Sequence, residues 1–128
     1  MRWTLTQTGL AAPDVVWQRY ADLDAWSQWA PLISGVEADS RELIGGLSGT
    51  VRAVGGLRVQ FAVLDVDDAT RSWTWRATVG FVHMTLRHGV LSDPDGRTRA
   101  VLDLDGAPPV VIGYLLPATL ALRSLVRP

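Results

Sequence analysis

The sequence predicts an α+β fold: a seven-stranded antiparallel sheet, two short helices after the first strand, and a long C-terminal helix across the apolar face of the sheet. Three observations carry this. Residues 33–106 alternate apolar and polar with a period of two and are divided by turn residues. A short stretch before them has helical spacing. After them, 17 uncharged residues separate Asp105 from Arg123. At 128 residues and 13.9 kDa the chain is expected to form one domain, residues 1–128.

The opening segment alternates Trp3, Leu5 and Gln7 with Thr4, Thr6 and Thr8, the pattern of a half-buried strand. Pro13 then suits a first helical turn, where its missing N–H is no loss, and Asp14 complements the helix N-terminus. Val16, Trp17 and Tyr20 make the inward stripe of that helix. Asp22 or Asp24 is placed to cap a second short helix carrying Trp26 and Trp29, which Pro31 ends. Six strands follow, near 34–41, 47–54, 57–66, 71–79, 81–92 and 97–105, joined by turns at Gly45-Gly46, Gly55-Gly56, Asp67–Thr70 and Asp93–Gly96. Links this short predict antiparallel neighbours.

Parity sorts these strands into two faces. Val36, Val51, Val59, Phe61, Val63, Trp73, Trp75, Ala77, Met84, Leu86, Val90, Ala100, Leu102 and Leu104 fall on the apolar one. Glu37, Arg58, Gln60, Arg76, Thr85, Arg87, Arg99, Asp103 and Asp105 fall on the other. Asp103 and Asp105 thus read as part of a solvated cross-strand charge ladder, not as a catalytic carboxylate pair.

Pro108 and Pro109 open the last helix, and Pro117 is expected to kink it. A membrane span needs about 20 apolar residues. This run is shorter, holds Gly113 and Pro117, and follows a sheet with a polar face, so no transmembrane segment is expected. Val111, Tyr114, Leu115, Ala118, Leu122 and Leu125 form one stripe for the sheet to bury. Ile112, Leu116 and Leu120 are left partly wet. With exposed indole from the Trp26–Trp29 segment they would make an apolar edge, either a homodimer contact or a ligand portal.

Composition removes several chemistries. The chain has no Cys, Lys or Asn, and all twelve basic residues are Arg. No thiolate, cysteine zinc site, Schiff base or phosphate-loop lysine is available. Two His cannot make a three-histidine metal site; a mixed His/carboxylate site stays possible, and no metal or cofactor is expected. A net charge of −1 gives nucleic acid no long-range attraction. The sequence starts directly in strand pattern at Arg2–Leu5, without the apolar run of a signal peptide, and reads as cytoplasmic. Gly45–Thr50 lacks a lysine and precedes a strand, so it is a hairpin turn and not a phosphate loop.

Candidate chemistry is sparse. His88 falls by parity on the apolar face and His83 on the other, unless Gly80 or Gly89 marks a bulge that reverses them. A histidine on an apolar wall either orients a ligand oxygen or moves a proton near neutral pH; the plainer reading is a histidine bonded to its neighbours. Gln7 faces inward and can anchor a ligand carbonyl, and Tyr114 faces the sheet.

The order of elements, with Ala12-Pro13-Asp14-Val15-Val16-Trp17, Asp24-Ala25-Trp26-Ser27-Gln28-Trp29-Ala30-Pro31 and Gly96-Arg97-Thr98-Arg99, resembles the START and birch-pollen-allergen-like helix-grip superfamily, and within it the polyketide cyclase/dehydrase and lipid-transport group. The resemblance covers essentially the whole chain. It implies a curved sheet gripping the last helix, with a cavity between them for apolar small molecules. On that basis the expected lining is Gln7, Trp29, Phe61, Trp73, Trp75, Met84, His88, Leu102, Tyr114 and Ala118. The expected function is binding of a small hydrophobic ligand, lipid or polyketide-like. The alternatives are a cyclase or aromatase catalysing aldol closure and dehydration, with His88, His83 and Tyr114 as candidate proton carriers, and an interaction protein with no ligand.

Overall fold

The computed structural model describes residues Met1–Pro128. Strand β1 (Arg2–Gly9) leads into helix α1 (Pro13–Ala21), a 3-10 turn at Leu23–Ala25 and helix α2 (Trp26–Trp29). Six strands follow: β2 (Ile33–Ala38), β3 (Ser48–Ala53), β4 (Arg58–Asp67), β5 (Ser72–Val79), β6 (Val82–Ser92) and β7 (Thr98–Gly106); helix α3 (Pro108–Leu125) comes last. All seven strands form one antiparallel sheet in the order β1-β7-β6-β5-β4-β3-β2. Strands β2 to β7 are the hairpin meander that the short links demand. The start of the chain closes the far edge by pairing β1 with β7, Leu5 opposite Leu102.

Neither aspartate caps α2, which has no side-chain cap: Asp22 caps the 3-10 turn before it, its carboxylate accepting from the Asp24 N–H at 3.0 Å. Asp24 instead pairs with Arg41. Two departures from simple alternation have local causes. A bulge between Val63 and Asp65 puts Leu64 in solvent and returns Val66 to the inner face opposite Trp73. Strand β2 ends at Ala38, three residues short of the expected end. There the chain turns so that Leu23 N–H and Leu43 N–H bond the Arg41 and Ala21 carbonyls, tying this loop to α1.

Helix α3 lies over β1, β7 and β6 and touches α2. It buries Val111, Ala118, Leu122 and Leu125. Its 18 residues have the length and composition of a short span, and only one face of it, 22% of its residues, is buried. Pro117 lies within it and removes the donor that would serve the Gly113 carbonyl. Its C-terminal end is held from α1: Arg19 Nη1 donates to the carbonyls of Leu125 and Arg127, both at 2.6 Å. Beside this clamp a Cβ on Gly9 would come within 2.3 Å of the Val126 carbonyl oxygen, so only glycine allows β1 to meet the helix end. Ile112, Leu116 and Leu120 stay exposed as the periodicity predicts. The apolar edge is nonetheless smaller than expected. Trp26 is fully buried, its Nε1–H bonded to the Tyr20 carbonyl at 2.9 Å, and contributes no exposed indole.

Candidate functional site

The sheet is wider than one helix can cover. Helix α3 sits over the β1-β7-β6 side and Trp26 of α2 packs on Phe61, Trp73 and Trp75, so only part of the inner face of β3, β4 and β5 is left open beside α3. A groove of about 350 Å³ results, lined by 16 residues of which 14 are hydrophobic. Its floor is Val51, Ala53, Val59, Trp75, Ala77, Met84 and Leu86, and its helix wall is Val110, Gly113 and Tyr114. A smaller inner chamber of about 50 Å³ lies deeper, under α3 and α2, lined by Trp26, Trp29, Trp73, His88, Leu102, Ala118 and Leu122 among others. Leu32, Ile33, Trp75 and Tyr114 line both, and so form the partition between the two spaces.

The inner chamber is an aromatic cage set by strand register. Alternation along Ser72-Trp73-Thr74-Trp75 sends both indoles inward. Strand β6 places His88 opposite Trp73 on one side and Leu102 on the other. Pairing is continuous through Gly89, so no bulge reverses this assignment. The His88 imidazole stacks on Trp73, ring centroids 4.3 Å apart and planes 10° apart. The Tyr20 ring meets both edge-on, at 5.1 Å from His88 and 5.4 Å from Trp73. Trp26 also stacks on Trp73, at 5.6 Å.

Hydrogen bonding divides the tryptophans. Trp17 donates to Asp68, Trp26 to the Tyr20 carbonyl and Trp29 to the Arg19 carbonyl, so these indoles tie α1 and α2 to their surroundings. Trp73 and Trp75 do not: their Nε1–H groups are buried without a partner, as are Tyr20 Oη and His88 Nδ1. Four such atoms in one cluster are uncommon, because buried polar groups are nearly always paired. Burial holds His88 neutral, its pKa lowered to about 3. Burial also raises the Tyr20 phenol far above its ordinary value, helped by the nearby Tyr114, and raises Tyr114.

The structure gathers most of the residues singled out from the sequence. Trp29, Trp73, Trp75, His88, Leu102, Tyr114 and Ala118 line the inner chamber, and Trp75, Met84 and Tyr114 the groove. His83 is solvent-exposed at the groove's rim, while Gln7 and Phe61 line neither space. Phe61 packs instead against Trp26 and Trp75, behind the cage. Sequence reasoning missed the segment Ala30–Ile33, which lines the site, and Tyr20, which lines neither space but packs against Trp73 and His88. The helical stripe Val16-Trp17-Tyr20 pointed inward, but nothing in it indicated that its phenol would reach β6. Asp103 and Asp105 are exposed on the outer face, where Thr4 donates to Asp103 at 2.6 Å and Arg2 pairs with Asp105 at 3.5 Å.

Solved structures share this architecture at low identity. A hypothetical protein of Helicobacter pylori superposes with a TM-score of 0.81 at 16% identity, covering 98% of this chain and 86% of its own. The di-domain ARO/CYC protein BexL of the BE-7585A biosynthetic pathway gives 0.81 and 16%, covering 98% of this chain and 45% of BexL. Ara h 8.0201 gives 0.74 and 13%, covering 98% and 94%. At such identity these likenesses establish the fold. No curated protein matches the sequence. A family model described as polyketide cyclase/dehydrase and lipid transport matches residues 2–126. With that match running from the first strand past the end of the gripped helix, the chain belongs to the polyketide cyclase/dehydrase and lipid-transport family and has its helix-grip fold.

Proposed function

We propose that this protein binds a small hydrophobic molecule between the sheet and α3, with its body in the groove and one end toward the aromatic cage. The observation that carries this is the groove itself: about 350 Å³, apolar, and within the size range of small-molecule sites. The test is titration of the protein with a panel of lipids and aromatic compounds, followed by tryptophan fluorescence. Trp75 lines the groove and Trp73 stands 5.7 Å behind it, so a bound ligand changes their emission. Absence of a saturable change with every compound, together with nothing co-purifying under native mass spectrometry, overturns the proposal.

A cyclase reading has one observation in its favour: His88 and Tyr114 line the same inner chamber. Binding is the better-supported reading, because His88 has no polar group orienting its ring at Nδ1, which a proton-transfer role requires. If His88 or His83 does carry protons, replacing both with Gln abolishes turnover of a poly-ketone substrate while leaving binding in place. Full turnover in the double variant removes histidine from any reaction.

A further inference from the structure

We infer that the groove and its inner chamber select an electrically neutral ligand bearing an oxygen acceptor such as a ketone, ester or amide, and reject carboxylates, with Trp73 and Trp75 as the residues that read the acceptor. The inference rests on the ligand-binding reading above and narrows it to a chemical class. Two independent observations support it.

The first concerns charge. Neither lining contains Asp, Glu or Arg, and the chain has no Lys. The titratable side chains in contact with the two spaces are His83, at the exposed rim, and the buried His88 and Tyr114. A carboxylate drawn into this space would lose its water with no cation to meet it, which is strongly unfavourable in an apolar site. Arginines are plentiful elsewhere, but those with partners are engaged on the outer face or at loops, as in Arg2–Asp105, Arg41–Asp24 and Arg58–Glu37.

The second concerns hydrogen bonds. The Nε1–H groups of Trp73 and Trp75 are buried and unpartnered. An indole nitrogen donates and cannot accept, so what is missing beside each is an acceptor. Both side chains line the inner chamber, and Trp75 also lines the groove and so stands where a ligand would pass between them. The two nitrogens are closed to water, so a ligand's acceptor oxygen meets them only where the cage yields to admit it, and there it supplies a partner that no protein group provides.

The experiment is calorimetric titration of the full chain at neutral pH with three probes sharing one ring system: 2-acetylnaphthalene, 2-ethylnaphthalene and 2-naphthoate. The ketone is expected to bind roughly three- to tenfold more tightly than the hydrocarbon, the gain of one net hydrogen bond. The carboxylate is expected to bind at least about a hundredfold more weakly than the ketone. Trp73→Phe and Trp75→Phe, which keep an aromatic ring and delete the N–H, should each lower the ketone-to-hydrocarbon ratio while the hydrocarbon still binds. Equal binding of ketone and hydrocarbon, or naphthoate binding as tightly as the ketone, overturns the inference and leaves the binding reading intact. Failure of all three probes to bind overturns both. The wild-type comparison decides the charge question even where a variant does not fold.

Discussion

Replacing His88 should change how stability responds to acid, by an amount that follows from its burial. Folded, the imidazole is held neutral with a pKa of about 3, because its surroundings offer the cation no solvation. Unfolded, it titrates near its ordinary value of about 6.5. Between those two values the unfolded chain binds a proton that the native state does not, so stability rises with pH across this window and is lost as pH falls. Above about 6.5 both states are neutral and the contribution is flat. The slope is about 1.4 kcal/mol per pH unit, so lowering the pH from about 7 to about 5 removes roughly 2 kcal/mol. His88→Phe keeps an aromatic ring against Trp73 and removes the titration. Urea denaturation of both proteins, followed by tryptophan fluorescence at several pH values, supplies the measurement. Carboxylate effects are common to both chains and cancel in the difference. The wild type is expected to lose about 2 kcal/mol relative to the variant over that range. Parallel stability profiles would show that His88 is solvated or partnered, and the opposite slope would show that it is charged in the folded protein.

Other substitutions test separate parts of the structure. Tyr20→Phe removes a buried, unpartnered hydroxyl while keeping the ring among Trp73, Trp29 and His88; stability should hold or rise, by up to about 1–2 kcal/mol in urea denaturation. Arg19→Ala deletes both bonds to the last carbonyls of α3 and should cost about 1.5–3 kcal/mol, with hydrogen exchange accelerating at residues 122–127. Trp29→Phe loses the bond to the Arg19 carbonyl and should cost about 1 kcal/mol; an unchanged unfolding midpoint would show that this bond does not tie α2 to α1. Ile112→Glu with Leu116→Glu should move stability by no more than about 0.5 kcal/mol each, because both side chains are exposed; loss of folding would mean that the helix is turned differently on the sheet.

The fold was legible because its signals are local. Turn residues at Gly45-Gly46, Asp67–Thr70 and Asp93–Gly96 bracket strands whose side chains must alternate, and the observed hairpins fall there. The pairing of β1 with β7 is different in kind. No turn joins these strands, and neither residue spacing nor the resemblance indicates that Leu5 meets Leu102. The bulge at Leu64 was hidden for a related reason. In Val63-Leu64-Asp65-Val66 three apolar residues flank one acid, and either parity buries a valine. Within the site, parity alone brought Trp73, Trp75 and His88 to one face. The contribution of Tyr20 depended on where α1 packs, which a helical stripe does not specify.

What separates a binding wall from ordinary core here is not the identity of the side chains but what completes their hydrogen bonds. Trp26 and Trp73 are equally buried, stacked on one another, and lie on the same chamber. Trp26 sits six residues from a carbonyl at the end of a helix and finds its acceptor within its own segment. Trp73 sits mid-strand, where neighbouring backbone carbonyls are committed to the sheet ladder and the facing side chains are aromatic or aliphatic. In this arrangement the indole N–H of Trp73 has no protein acceptor. The stripe that α3 presents is Val111, Leu115, Ala118 and Leu122, with Tyr114 as its one polar member. The helix therefore closes the chamber without satisfying it. A protein needing only a stable core would gain by placing phenylalanine at positions 73 and 75, which makes the retained indole N–H groups an argument for a ligand that uses them.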